Sequence, residues 1–416
     1  MKNSSLNMFL ILLIFTSCNK LVQSAKDDSS QMDNWIWDGS TLKNNKSKLA
    51  SGHTLITEAY DLLIAEANEA LKVSPVSVMD KSMIAASDNK HDYFSFGPYW
   101  WPDPEKPDGL PYIRKDGVKN SITLGGATDA PTRKIMRDVV ETLALAYFFS
   151  DDEKYAKHAV KFIEVWFIDK STRMNPNMDF AQAIPGIVDG RGIGIIESRD
   201  FIQVAAAIDL LRLSNYWTVA INNEIHLWYS NFLDWMVNSK NGRDENNAKN
   251  NHATWYDCQI AHFAYFVNRK DLARGVLKEL NRRRMEIQIE ANGSQPLELT
   301  RTRSFDYSMF NLEAYLSLAR LAKHLNIDIW KFKNSKGASL KSAVDFIGPY
   351  ANPIKNWPYE QIRDSDEDKL AHILIQTAFQ YPDEVKYMNW LNQIPKEKLH
   401  NKTLLMNAFN NYNFLN

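Results

Sequence analysis

Apolar residues recur every three to four positions along most of the chain, which is the spacing of one face of an α-helix. A clear case is LITEAYDLLIAEANEALK, residues 55–72. The same period predicts further helices over residues 133–150, 153–167, 199–213, 216–239, 252–267, 271–290, 305–325, 338–349, 366–380 and 384–393. Strict alternation of apolar and polar residues, which marks half-buried strands, is nearly absent. The pattern therefore predicts an all-α protein of roughly a dozen helices.

Successive antiparallel helices of this length form either an open solenoid or a closed α/α toroid. We find no repeat consensus along the chain, which disfavours the solenoid. Two long stretches interrupt the helical pattern, at residues 91–131 and 171–197, and both are rich in Gly, Pro and apolar side chains. Loops this long are usually functional or disordered, and their aromatic and aliphatic content argues for order. We expect these loops to line one mouth of the helical array.

The N-terminus carries an apolar run, Met8–Phe15, that is too short to cross a bilayer and is typical of a secretory signal. Small residues directly before Cys18 predict a lipoprotein signal peptide over residues 1–17, with Cys18 lipidated. A polar tether is then predicted over residues 18–45, followed by a single α/α-toroid domain over residues 46–416. We expect a secreted protein that is periplasmic or anchored to the outer membrane, with plain signal cleavage as the alternative.

The net charge, the aromatic content and the motifs that are missing from the sequence disfavour some classes of function. The formal net charge of −1 gives no overall field that would recruit nucleic acid, so an acidic substrate must meet local Arg and Lys side chains. The 12 Trp, 17 Tyr and 20 Phe suit a hydrophobic core and also clefts where sugars stack. Patterns typical of metal sites, phosphate loops and dinucleotide folds are missing from the sequence. We expect no metal, no cofactor, no nucleic-acid partner and a monomer.

One helix begins with polar residues where an apolar face would be expected. In KNNHATWYDC, residues 249–258, two amides and His252 precede an otherwise apolar segment. A helix start offers free N–H groups and a dipole that favour a carboxylate. The alternative is that an Asn caps the helix and His252 is structural.

Four stretches occur in order along the chain: YFSFGPYWWPDP, AQAIPGIVDGRGIGIIESRDF, NNHATWYD and TRTRSFDYSMFNLEAY. Together they resemble the alginate-lyase-type polysaccharide lyases, and most closely polysaccharide lyase family 38, the alginate and glucuronan lyases. The resemblance covers roughly residues 85–365. It implies an (α/α) toroid or barrel of six to seven helical hairpins. It also implies a catalytic group formed by Asn251, His252, Arg301 and Tyr307.

The resemblance implies cleavage of 1,4-linked uronans, alginate and also glucuronan, by β-elimination. Removal of the C5 proton requires that the adjacent carboxylate be neutralised, and Asn251 and Arg301 provide suitable donors. Tyr307 can act as base and acid when proton and leaving group share a face, as in mannuronate or glucuronate. For guluronate, His252 is expected to act as the base and Tyr307 as the acid. Arg303 could replace Arg301, which we favour.

Further substrate contacts are expected from polar and aromatic side chains near these motifs. The predicted substrate-binding residues are Tyr99, Trp100, Trp101, Arg114, Gln182, Arg191, Asn250, Tyr256 and Arg303. The alternatives are that the Trp residues plug the toroid and that Arg301 pairs with Glu298 on the surface.

Two other functions stay open at this point. A secreted glycoside hydrolase on the same toroid would need two carboxylates facing each other across the cleft. The candidate carboxylates for such a pair are Asp189, Glu197, Glu298 and Asp306. The other alternative is a noncatalytic glycan-binding lipoprotein.

Overall fold

The computed structural model describes residues 34–351 and 356–408, and it is mostly helical. The α-helices are α1 (Gly39–Ala50), α2 (Thr54–Ala70), α3 (Asp129–Ser150), α4 (Glu153–Ile163), α5 (Asp200–Leu211), α6 (Val219–Asn238), α7 (Lys240–Asn246), α8 (Asn251–Phe266), α9 (Lys270–Leu280), α10 (Glu286–Gln288), α11 (Pro296–Leu299), α12 (Ser304–His324), α13 (Leu340–Ile347), α14 (Glu367–Gln380), α15 (Lys386–Leu391) and α16 (Asn401–Met406). The short strands are β1 (Phe94–Phe96), β2 (Trp100–Trp101), β3 (Ile113–Arg114) and β4 (Phe180–Ala183). The all-α prediction is confirmed.

An inner set of helices, α3, α5, α8, α12 and α14, packs side by side and runs in one direction. Arg133 near the start of α3 pairs with Asp200 at the start of α5, and Lys369 near the start of α14 pairs with Glu313 on α12. The outer helices α4, α6, α9, α13 and α15 return along the outside. This arrangement is an α/α toroid, and we call the end at which the inner helices begin the mouth.

The core lies between the inner and outer helices and is rich in aromatic side chains. Phe167, Phe201, Trp228, Tyr229 and Phe232 contact one another in edge-to-face and stacked pairs where α5 meets α6. Ring pairs of this kind add to the stabilisation from buried area. Much of the aromatic content is therefore core and carries no direct information about the ligand.

Residues 34–37 fill the centre of the ring far from the mouth. Trp35 Nε1 donates to His262 Nδ1 of α8 at 3.2 Å, and Trp37 Nε1 donates to the Gln203 side chain of α5 at 2.7 Å. Both indoles are almost fully buried. The predicted tether over residues 18–45 is therefore wrong for residues 34–45, since they are packed and continue into α1. The aromatic pair Trp35 and Trp37 gives this segment apolar area to bury.

The predicted signal peptide over residues 1–17 and the lipidation site Cys18 lie outside the described residues. In the part of the chain that the structure describes, no helix is both long enough and apolar enough to cross a membrane.

The two long loops meet above the mouth. Strand β1 pairs in parallel with β4, which joins the first loop to the second. Strands β2 and β3 form an antiparallel hairpin, in which Trp100 lies opposite Arg114. The prediction of ordered loops is confirmed, because backbone pairing holds both of them.

Candidate active site

Tyr307 lies in the first turn of α12, where the helix starts at the mouth. Its hydroxyl forms a 2.8 Å hydrogen bond with the hydroxyl of Tyr99, the residue immediately before β2. The guanidinium carbon of Arg301 lies 3.7 Å from the centroid of the Tyr307 ring. Burial raises the pKa of Tyr307, the Tyr99 neighbour raises it further, and Arg301 lowers it. The resting side chain is therefore a neutral phenol that can donate a proton.

Asp116 holds Arg301 in this position. Arg301 donates from Nε and Nη2 to the two carboxylate oxygens of Asp116, at 3.1 and 2.8 Å. The adjacent Thr302 also donates to Asp116 through its hydroxyl at 3.2 Å. Gly117 allows this close approach, because a Cβ there would lie 2.4 Å from the Thr302 hydroxyl and the residue has φ of +71°. The segment after β3 and the start of α12 are thus held together.

His252 lies in the first turn of α8 and is oriented by Glu245. The His252 Nδ1 and Glu245 Oε1 atoms are 2.7 Å apart. The Glu245 side chain is fully buried, whereas the His252 side chain keeps 17% exposure. An ionised carboxylate only accepts hydrogen bonds, so in neutral His252 Nδ1 carries the hydrogen and Nε2 keeps its lone pair. The neutral His252 imidazole can therefore accept a proton at Nε2.

Asn251 is fully buried and makes a double contact with Glu298. Its backbone N–H and its Nδ2 donate to the two Glu298 oxygens, each at 2.7 Å. The free atom of the amide is therefore Oδ1, an acceptor with no hydrogen-bond partner among the described residues. The predicted role of Asn251 as a donor to a substrate carboxylate does not fit these bonds.

Glu298 links the residues of the group. Burial raises its pKa, while the bonds from Asn251 and the charges of Arg301 and His252 lower it. Glu298 is also connected to Arg301 through the backbone, since the Arg301 N–H donates to the Glu298 carbonyl at 3.1 Å. The alternative of a surface pair between Arg301 and Glu298 is wrong, because Glu298 is buried and Arg301 pairs with Asp116.

Asn250 precedes α8, but its side chain makes no capping hydrogen bond. Its carbonyl oxygen accepts from Gln288 Nε2 at 3.0 Å, which fixes the backbone. The expected alternative of an ordinary side-chain cap at Asn250 is therefore wrong. Because the side chain is half-buried and has no capping task, it stays a candidate for substrate contact.

Arg191 and Gln182 form a second polar group beside the aromatic loop. Arg191 donates from Nη2 to the Gln182 side chain at 3.0 Å and from Nε to the Gln182 carbonyl at 3.1 Å. Its guanidinium carbon lies 5.8 Å from the centroid of the Trp100 ring. Gln182 is buried and adopts φ of 50°, so its side chain serves to hold Arg191. Arg191 and half-buried Trp100 face the loop region above the mouth.

The remaining predicted contacts fall into different environments. Trp101 is half-buried and donates from Nε1 to the Val118 carbonyl at 3.0 Å. Arg114 is exposed and pairs with Asp116 at 2.6 Å. Arg303, which immediately precedes α12, pairs with Asp306 in the first turn of that helix, with Nε 2.9 Å from Oδ2. Arg301, and not Arg303, is the arginine that lies over Tyr307.

Tyr256 is not available to a substrate, which corrects the sequence prediction. Its side chain is buried and its hydroxyl donates to the Met236 carbonyl of α6 at 2.9 Å. The residue is one turn after His252, so the periodicity placed it near the same face. The packing of α6 against α8 decides its environment instead.

Three of the four carboxylates considered for a hydrolase have structural partners. Glu197 is buried and accepts from the hydroxyls of Tyr93 and Ser95 at 2.7 and 2.8 Å. Glu298 accepts from Asn251, and Asp306 pairs with Arg303. Asp189 is exposed in the second loop. Within residues 34–351 and 356–408, no group of three or more metal-ligating side chains comes together.

The sequence analysis missed Asp116 and Glu245, which position Arg301 and His252. Asp116 is 185 residues from Arg301 along the chain, so only the folded structure shows the pair. Glu245 is seven residues before His252, on the short helix that precedes α8. An acidic residue shortly before a candidate catalytic His was a signal that could have been used.

The chain is similar to known alginate lyases in sequence and in fold. The alginate lyase family model matches residues 77–357. The crystal structure of an alginate lyase from Bacteroides ovatus has a TM-score of 0.86 at 38% identity, covering 90% of this chain and 99% of that one. Alginate lyase A1-III from Sphingomonas species A1 has a TM-score of 0.51 at 14% identity, covering 78% of this chain and 88% of that one, and supports the fold alone.

A histidine-to-alanine variant of alginate lyase A1-III complexed with a tetrasaccharide has a TM-score of 0.56 at 16% identity. It covers 89% of this chain and 95% of that one, and again supports the fold alone. A search among curated proteins gave no significant match.

Proposed function

Since this chain belongs to the alginate lyase family, we propose that it is a polysaccharide lyase that cleaves 1,4-linked uronans by β-elimination. The observation that carries the proposal is the Arg301 guanidinium carbon 3.7 Å from the centroid of the Tyr307 ring. His252, held through Nδ1 by Glu245, adds an imidazole with a free Nε2. A cation over a phenol favours phenolate, and a phenol and an imidazole together provide an acid and a base.

In the reaction, the C5–H bond breaks, a C4–C5 double bond forms and the C4–O bond to the leaving sugar breaks. When the proton and the leaving group lie on opposite faces, as in guluronate, His252 Nε2 takes the C5 proton. Tyr307, which is a neutral phenol at rest, gives its proton to the leaving oxygen. Each proton thus has a donor or acceptor already in the required state.

When both groups lie on one face, as in mannuronate or glucuronate, Tyr307 serves as base and acid. It must then start as phenolate, and the Arg301 charge over its ring stabilises that form. The phenolic proton must first leave to solvent, after which the Tyr99 hydroxyl, 2.8 Å away, donates its own hydrogen to the phenolate oxygen. The Tyr99 hydroxyl is therefore part of the proposed acid–base group.

The substrate carboxylate must be neutralised before C5 can lose its proton. Arg301 uses Nε and part of Nη2 on Asp116, so its Nη1 hydrogens remain available as donors. Asn251 uses its Nδ2 on Glu298, so Arg301 is the donor proposed to neutralise the carboxylate.

Alginate is the first substrate to offer, because the similar Bacteroides ovatus structure is described as an alginate lyase. Glucuronan is proposed as a second substrate, together with the assignment to polysaccharide lyase family 38. We also propose a monomer that meets the membrane only through a lipid on Cys18, in the periplasm or at the outer membrane. Labelling with a fatty-acid analogue, in wild type and Cys18→Ala, tests that anchor.

The decisive experiment measures the ultraviolet absorbance of unsaturated products. Polymannuronate, polyguluronate and glucuronan are each offered to the wild type and to Tyr307→Phe. We expect absorbance to rise with wild type and to be lost with Tyr307→Phe, while circular dichroism shows both proteins folded. Release of reducing ends without absorbance would instead identify a hydrolase. Binding of the polymer with neither signal would identify a glycan-binding protein.

A further inference from the structure

Buried side-chain amides connect the start of α8 with α12. Gln288, the last residue of α10, donates from Nε2 to the carbonyl of Asn250, the residue directly before α8, at 3.0 Å. Its Oε1 accepts from the hydroxyls of Thr254 and Tyr315, each at 2.8 Å, and from Asn311 Nδ2 at 3.0 Å. Gln288 and its three side-chain partners are almost fully buried. Gln288 therefore holds the backbone at the start of α8 and is itself held by both helices.

The same asparagine connects this group to Tyr307. Asn311 donates from Nδ2 to Gln295 Oε1 at 2.7 Å. Gln295, the residue directly before α11, donates from Nε2 to the carbonyl of Ser308 at 3.1 Å, and Ser308 follows Tyr307 in the chain. The Gln295 carbonyl also accepts from the Glu298 N–H at 2.9 Å, in the turn that holds Asn251. The turns before His252 and around Tyr307 are thus joined through one asparagine side chain.

The donors and acceptors of this network fit together in only one way. The carbonyls of Asn250 and Ser308 accept hydrogen bonds and cannot donate, so each glutamine must turn its Nε2 towards a carbonyl. Both Oε1 atoms then face Asn311, which has to present its two Nδ2 hydrogens to them. A carboxylate at this position would bring acceptor against acceptor, because neither glutamine can turn without losing its carbonyl. Asn311 is therefore needed for its hydrogens as well as for its shape.

We propose that Asn311 is a positioning residue, which fixes the Tyr307 hydroxyl relative to the His252 imidazole. The Asn311 side chain is fully buried, so it acts through the amide network and does not touch the substrate. The proposal rests on the proposed function, in which guluronate needs a base and an acid on opposite faces of one sugar. A misplacement of about 1 Å between reacting groups lowers a rate by roughly 100-fold. Mannuronate uses Tyr307 for both steps, so its cleavage depends less on this relation.

The test compares Gln295→Met with wild type on polyguluronate and on polymannuronate. Methionine keeps the length of the side chain and removes its amide, so the hydrogen bonds to Asn311 and Ser308 are lost. We expect kcat on polyguluronate to fall roughly 10- to 100-fold and kcat on polymannuronate to fall less, with KM unchanged. The ratio of the two kcat values is the readout, because a smaller fraction of folded enzyme would lower both equally.

Tyr315→Phe is the matched control, since it removes a buried hydrogen bond to Gln288 Oε1 and leaves both bonds from Asn311 in place. Urea denaturation should show that it lowers the free energy of unfolding, as Gln295→Met does, while the kcat ratio stays that of wild type. Asn311→Asp, which has the same shape and no donor when ionised, should change the ratio in the same direction as Gln295→Met. An unchanged ratio in Gln295→Met, or an equal change in Tyr315→Phe, would overturn the proposal.

The positions of the two groups can also be measured without activity, which separates this inference from the proposed function. If wild type forms unsaturated product from no uronan, the proposed function fails, and if it cleaves only one of the two polymers, the ratio is undefined. In both cases, crystal structures of wild type, Gln295→Met and Tyr315→Phe are superposed on α8. A Tyr307 hydroxyl displaced in Gln295→Met alone supports the inference. An unmoved hydroxyl, or one displaced equally in Tyr315→Phe, refutes it.

Discussion

The guanidinium of Arg301 lies over the ring of Tyr307 while its Nε and Nη2 atoms bind Asp116. The arginine therefore has two tasks, to stabilise negative charge on the phenol and to join two loops. A planar fork can do both at once, whereas an ammonium group cannot.

Arg301→Lys should lose the contact with the Tyr307 ring and the two hydrogen bonds to Asp116, while it keeps the positive charge. We expect kcat to fall roughly 100-fold, the size seen when one preorganised donor is removed from an active site. Product absorbance at saturating substrate measures the effect. Arg303→Lys is the control and should lose far less kcat, because Arg303 pairs with Asp306. Equal losses in the two variants would contradict the assignment of Arg301.

Glu245→Ala should release the His252 ring from its fixed orientation. Activity on polyguluronate is expected to fall roughly 10- to 100-fold, in the range found for partners that orient a functional His. Activity on polymannuronate should fall less, because Tyr307 serves as the base there. The ratio of the two rates is the readout, and Glu245→Gln should restore part of it. The same loss on both polymers would show that His252 has no base role.

Tyr256→Phe should lower the stability of the fold and leave KM and kcat unchanged. The lost bond to the Met236 carbonyl is expected to lower the free energy of unfolding by about 1 kcal/mol. Urea denaturation measures that change, and KM and kcat should equal those of wild type. A raised KM would restore Tyr256 to the substrate-binding set.

His262 should make the fold sensitive to acid. Burial lowers its pKa from 6.5 to about 3, so the folded protein holds it neutral. A lowered pKa for a base contributes stability that is complete above pH 6.5 and is lost as the pH falls towards 3. Between about pH 6.5 and 4.5 the loss is roughly 2–3 kcal/mol.

The measurement is the free energy of unfolding of wild type and His262→Gln across this pH range. The difference between the two proteins should shrink as the pH falls, because the variant has no imidazole to protonate. Other buried histidines, His226 and His372, act equally on both proteins. A difference independent of pH would refute the prediction.

Much of the fold followed from periodicity. The predicted helix over residues 55–72 corresponds to Thr54–Ala70, and that over residues 305–325 to Ser304–His324. Apolar spacing is local information, and tertiary packing mostly preserves it. The segment at residues 34–37 was missed, because its two Trp residues stand alone between polar stretches. These indoles are buried against helices that are distant in the sequence, so only the folded structure shows their environment.

The sequence named candidate residues for the site but not the residues that position them. The structure connects Asn251 to Glu298, whose carbonyl accepts from the Arg301 N–H, and it places Arg301 over Tyr307. The orientation of the Asn251 amide depends on Glu298, and the sequence contains no sign of that hydrogen bond. Tyr256 shows the opposite error, since a helical face near a site also packs against a neighbouring helix.

Residues 34–37 occupy the ring at the end opposite the mouth, where the Trp35 and Trp37 indoles are buried and hydrogen-bonded to α8 and α5. We therefore expect a uronan to approach Tyr307 from the mouth and its fragments to leave on the same side.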